Sequence, residues 1–104
     1  MGGSVFLSNA QASTYTGTVT EILMGVPYGN AIIIKVDGSP VQSGCHTNPG
    51  YNYAFDASTA VGKNMLSSIL VAFSTQKVVT FYGAGDSSCT AFGGIENLDQ
   101  FLLK

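Results

Sequence analysis

Residues 14–24, TYTGTVTEILM, decide how the rest of the chain is read. With the two-residue period of a strand, Thr14, Thr16, Thr18 and Thr20 fall on one face, and Tyr15, Gly17, Val19 and Glu21 on the other. Ile22 and Met24 then continue the threonine face, so a polar face turns apolar near Glu21. A straight, half-buried strand does not change character in that way. A long strand that bends, with Gly17 at or near the bend, does.

Outward from that strand, Gly25–Asn30 (GVPYGN) reads as a turn. AIIIKV (31–36) is a β-branched strand that looks buried on both faces. Asp37-Gly38 is a hairpin signal, and SPVQSGC (39–45) a short edge piece, because Pro40 cannot donate to a ladder. After the Asn48-Pro49-Gly50 turn, YNYAFDA (51–57) alternates as a third strand, with Tyr51, Tyr53 and Phe55 on one face.

A helix is expected over residues 59–75, with Asp56, Ser58 or Thr59 as its cap. Its apolar stripe is Val61, Met65, Leu66, Ile69, Leu70 and Phe73, and Gly62 allows close packing. KVVTFY (77–82) is a fourth strand, and QFLLK at the end closes the fold as a fifth. The order β-β-β-α-β-β predicts a mainly β (β+α) domain over residues 13–104, a five-stranded OB-fold-like Greek-key barrel. Another small α+β roll with the same order is the alternative.

The composition narrows the function. Charged residues are 10% of the 104, against an ordinary share of ~25%. The surface must then be covered by Ser, Thr, Asn, Gln, Gly and Tyr, which suits an extracellular β-rich domain. Four dispersed lysines, no arginine and a net charge of −2 argue against nucleic acid, which needs clustered cations. No apolar run approaches the ~20 residues of a membrane span. Residues 1–12 read as an N-terminal arm or as a signal-peptide remnant, since Ala10-Gln11-Ala12 before Ser13 has the small-residue pattern of a cleavage site.

Cys45 and Cys89 both lie in Gly-, Ser- and Asn-rich segments. An even count on loops reads as one disulfide and an oxidising, secreted or periplasmic (bacterial) location. Two free thiols, or a metal site using Cys45, His46 and Cys89, are the competing readings. The metal reading has only three ligands and no C-x-x-C spacing. His46 has no partner at a diagnostic spacing, and no local spacing pairs two carboxylates for glycosidase chemistry. GAGDSSC lacks the lysine of a phosphate loop. No catalytic residues, metal or cofactor are therefore expected. Tyr28, Asn30, His46, Asn48 and Tyr51 gather in or beside turns, where aromatic faces and amides could meet a sugar.

TGTVTEI, AIIIKV, a loop cysteine, the helix TAVGKNMLSSILVAFSTQ, KVVTFYG and a second loop cysteine, taken in order, resemble small exported OB-fold proteins. The segment 14–103 is similar to the B subunits of subtilase-cytotoxin and pertussis-like AB5 toxins. That resemblance implies a glycan-binding homo-oligomer, a pentamer in the family, with Thr16 and Thr18 on the first strand nearest the family's ligand region. The expected function is an exported, non-enzymatic binding module for glycans. The alternative is a small periplasmic protein that acts through protein contacts and has no sugar site.

Overall fold

The computed structural model describes residues 13–85 and 88–104. The expected arm or signal remnant at 1–12, and Asp86 and Ser87 of the GAGDSSC segment, lie outside the described residues. The elements are β1 (Thr14–Gly17), β2 (Val19–Leu23), a 3-10 turn (Val26–Tyr28), β3 (Ala31–Val36), β4 (Tyr53–Asp56), α1 (Ala60–Thr75), β5 (Val79–Gly83) and β6 (Leu98–Leu103). The described residues are mainly β with one α-helix. It has two antiparallel three-stranded sheets, ordered β1-β5-β6 and β2-β3-β4.

Among the described residues this makes six strands in two open sheets, where the sequence suggested five in one barrel. The difference lies at Thr18, which interrupts the long first strand. Its N–H donates to Asp37 Oδ1 at 3.0 Å, and its carbonyl accepts from the Asp37 N–H at 3.0 Å. The Tyr15 hydroxyl donates to the Asp37 carbonyl at 2.7 Å. The backbone at Thr18 thus finds its partners outside both ladders. Gly17 is needed there, because a side chain would run into the Asp37 carboxylate and the Tyr15 ring. The first half of the strand pairs with β5 and the second with β3. A register shift between Val19 and Glu21 adds the bulge that the changing face required.

Asp37-Gly38 does not open a hairpin. The next strand after β3 is β4, and residues 39–50 form no strand, so the expected edge piece at SPVQSGC is a loop. Among the described residues a single parallel bridge, Ala54 to Asn97, links the two sheets on the side away from Thr18.

AIIIKV is buried on both faces, as its β-branched run predicted. Ile32, Ile34 and Val36 enter the main core with Val19, Phe55, Ile69, Phe81 and Leu98, while Ile33 packs with Ala54 and Ile95 on the other side. Tyr53 stacks on Phe81 in the main core, with ring centroids 5.5 Å apart. Tyr51 does not share that face. It precedes β4, and it packs against the second cluster.

Helix α1 starts where expected. The Thr59 side chain accepts from the Gly62 N–H at 2.9 Å, one of the orphan donors of the first turn. Gly62 sits directly on the Asp56–Ala57 backbone, which leaves no room for a Cβ. The buried stripe is Gly62, Ile69 and Ala72, with Met65 and Leu66 packed beside it. Val61, Leu70 and Phe73, expected to face inward, are exposed. Gln76 ends the helix in the left-handed region at φ 53, and its side-chain amide donates to the carbonyls of Val19 and Phe73 at 3.2 and 2.8 Å.

Candidate functional site

The end of the molecule holding the loops is tied by a Cys45–Cys89 disulfide with Cα atoms 6.1 Å apart. The Ser43 hydroxyl and the Cys45 sulfur lie 3.4 Å apart. Among the described residues no cysteine is free, which settles the competing readings in favour of the bridge. Closing a loop of this length constrains the unfolded chain by ~4 kcal/mol in the entropic account.

Beside the disulfide, Glu96 is fully buried. Its Oε1 accepts from Gln42 Nε2 and the Ser43 N–H, both at 2.9 Å. Its Oε2 accepts from the Ser13 hydroxyl at 2.9 Å and the Gly85 N–H at 3.3 Å. Four donors replace the water that a buried carboxylate loses. Gly83 must be glycine, because a Cβ would collide with this carboxylate and with Ser13. The Tyr53 hydroxyl is buried nearby and has no hydrogen-bond partner among the described residues. Burial above all, and then the charge of Glu96, push its phenol up to about 12, against a smaller opposing pull from the Ser13 hydroxyl.

His46, which has no partner at a diagnostic spacing in the sequence, is tied into the loop region by the fold. Its Nδ1 accepts from the Glu96 N–H at 2.9 Å, and its Nε2–H donates to the Asn48 carbonyl at 2.8 Å. Both ring nitrogens are engaged. The three residues weighed as a metal set are thus a bridging histidine and a disulfide, and no group of metal ligands occurs among the described residues.

The expected ligand-binding residues divide into two groups. Tyr28, His46, Asn48 and Tyr51 form one connected region. Asn48 Oδ1 accepts from the Gly50 and Tyr51 N–H groups at 2.7 and 3.0 Å and fixes where Tyr51 leaves the loop. The Tyr51 hydroxyl donates to Glu21 Oε1 at 3.2 Å, and Glu21 Oε2 lies 3.9 Å from Lys35 Nζ. Partial burial, then the bond to Glu21 and its charge, raise the Tyr51 phenol above its ordinary value, with Tyr28 contributing. The Tyr28 ring meets Phe92 edge to face at 5.7 Å. Ile33, Ala54 and Ile95 form the floor under these rings.

Thr16, Thr18 and Asn30 are not part of that region. Thr16 pairs its hydroxyl with Thr80 at 3.1 Å across β1 and β5, and Thr18 serves the strand break. Asn30 is exposed at the start of β3, where its carbonyl accepts from the Ala57 N–H at 2.9 Å.

A cavity of about 310 Å3 opens between α1, β4 and the start of β6. Asp56, Thr59, Thr90, Asn97 and Asp99 are its polar lining, over an apolar floor that includes Phe55, Met65 and Leu98. The Ser58 N–H and hydroxyl hold the Asp56 carboxyl below its usual range, with help from the Lys63 charge. This cavity adjoins the aromatic region through Ala54 and Ala91. It was missed in the sequence because its residues come from four separated segments. Glu96 was also missed, since its surroundings, GGIENL, look like an exposed turn.

No helix among the described residues is long and apolar enough to cross a membrane. No protein-family model, curated protein or solved structure matches the chain.

Proposed function

We propose that the chain is an exported, non-enzymatic module that binds glycans on the surface formed by Tyr28, Tyr51 and Glu21. The observation that carries this reading is the bond from the Tyr51 hydroxyl to Glu21, beside the Tyr28–Phe92 pair. Aromatic faces suit the C–H faces of a pyranose, and a carboxylate with a neighbouring lysine suits its hydroxyls. The rings of Tyr28 and Tyr51 rest on an apolar floor, so little of their side-chain entropy is lost on binding. Export is supported by a disulfide joining two loops. The strand shared at Thr18 and the bridge at Ala54–Asn97 support a partly open OB-fold barrel built from the two sheets. A ring of copies, five in the toxin subunits that the sequence resembles, is part of the same reading.

The test is a glycan array probed with wild type, Tyr51→Ala and Glu21→Gln. Wild type should capture a defined set of glycans, and each variant should weaken capture by about tenfold, or ~1.4 kcal/mol. A wild type that captures nothing would sink the reading. The second reading, a small periplasmic protein working through protein contacts, draws on α1, which exposes Leu70, Val71 and Phe73.

A further inference from the structure

The sheets part on one side of the molecule. β4 and the segment leading into β6 touch through the Ala54–Asn97 bridge, where the Ala54 N–H donates to the Glu96 carbonyl at 3.0 Å. Beyond Asn97 no strand pairing joins β4 to β6 among the described residues, and the ladder opens. β6 is hydrogen-bonded to β5 on one side and is an edge strand on the other. Two adjoining cavities of about 310 Å3 each follow the opening, one at Asp56 and Asn97, the other between α1 and β6. Val61, Met65 and Asp99 line both.

An edge strand offers unpaired N–H and C=O groups, and proteins ordinarily cover, charge or twist such an edge. Here the edge borders a groove with an apolar floor that includes Met65, Phe101 and Leu103. The groove is acidic. Asp56 and Asp99 both line it, and among the described residues no lysine does, although the Lys63 charge acts on Asp56 from outside the lining. The Lys63 ammonium donates instead to the Ala57 and Ser58 carbonyls. Asp99 makes no ion pair or side-chain hydrogen bond among the described residues.

We infer that the opening between β4 and β6 seats an extended peptide segment of another protein, which adds to the free edge of β6 and places a lysine or arginine between Asp56 and Asp99. The backbone of β6 supplies the affinity common to any strand. The apolar floor takes one alternate side chain, and the two carboxylates select a cation at the next. A second copy of this chain is a poorer occupant, because it carries only four cationic side chains, none of them in a segment of alternating basic and apolar residues. This seat is independent of whether the aromatic surface binds glycans.

The probe is a short capped peptide of alternating valine and lysine, compared with one of valine and glutamate, titrated into the full chain and followed by calorimetry and amide hydrogen exchange. The lysine peptide should bind and slow the exchange of those β6 amides not bonded to β5. Asp99→Asn, a change at an exposed position, should weaken it by about tenfold, and added salt should weaken it further. The glutamate peptide should not bind. Equal binding of both peptides, no binding of the lysine peptide, or an unaltered affinity in Asp99→Asn would each overturn the proposal. So would a dimeric wild type whose β6 edge is protected before any peptide is added, since the groove would then belong to a second copy.

Discussion

Glu96 donates its backbone N–H to Nδ1 of His46, and the same residue's carboxylate lies fully buried. One residue thus joins the disulfide loop, through His46, Gln42 and Ser43, to Ser13 and to Gly85 after β5. The arrangement has no ion pair among the described residues, so the hydrogen bonds alone stabilise the buried oxygens.

Removing that carboxylate should therefore cost more than an ordinary surface change. Glu96→Ala leaves Gln42, Ser13 and two backbone N–H groups without their acceptor, at about 1–3 kcal/mol for each group left unsatisfied and out of reach of water. A net loss of about 3 kcal/mol or more is expected in urea unfolding. Asp99→Asn, at an exposed carboxylate, should stay within about 0.5 kcal/mol of wild type. Similar losses in both would show that Glu96 is not the tie described.

Gly62→Ala tests the seat of the helix. Helix propensity alone would favour alanine by ~1 kcal/mol. The added methyl, however, meets the Asp56–Ala57 backbone, which cannot turn aside as a side chain can. The expected outcome is a lower melting temperature, with overpacking of about 1–3 kcal/mol outweighing the propensity gain. A rise in melting temperature would mean that α1 lies further from β4.

Tyr53 gives the fold an alkaline limit. Its phenol is raised to about 12 by burial, against an unfolded value near 10. The folded protein therefore holds this proton more tightly than the unfolded chain. Its contribution is complete below pH ~10 and is lost as the pH rises through about 12. Tyr53→Phe should flatten that part of the pH–stability curve. At neutral pH the variant should be at least as stable as wild type, because it removes a hydroxyl that has no partner among the described residues. An unchanged alkaline limb in Tyr53→Phe would contradict this.

Reduction of Cys45–Cys89 should lower stability by ~4 kcal/mol, with thiol labelling seen only after a reductant is added. Ready labelling of the untreated protein would remove the bridge and the argument for export built on it.

The strongly periodic segments were legible in the sequence. AIIIKV, the helix capped by Thr59 and KVVTFY all appear close to their expected bounds, because each carries its own local pattern. The cysteine pairing was legible too, from an even count on loops. What failed was whatever depends on a distant partner. The break at Thr18 is made by Asp37, which the sequence presents only as half of a turn. The alternation of YNYAFDA put Tyr51 on the face of Tyr53 and Phe55, but Asn48 turns the chain before β4 and sends that ring to the other cluster. Of the expected binding residues, those near the Asn48 turn came together. Thr16 and Thr18 did not, since their bonds run to β5 and to Asp37.

The break at Thr18 also bears on how the chain assembles. The β2-β3-β4 sheet is a meander of neighbouring segments, whereas the β1-β5-β6 sheet needs β1 to meet strands from the far end of the chain. The first can form by short loop closures. The second must wait for a long one, which is slower and confers its stability only when complete. The long first strand then does more than bend. Its second half, β2, becomes ordered with the early sheet and carries its first half, β1, to the place where β5 must arrive. Pulsed hydrogen exchange during refolding should protect the amides of Ile33 and Ile34 before that of Phe81.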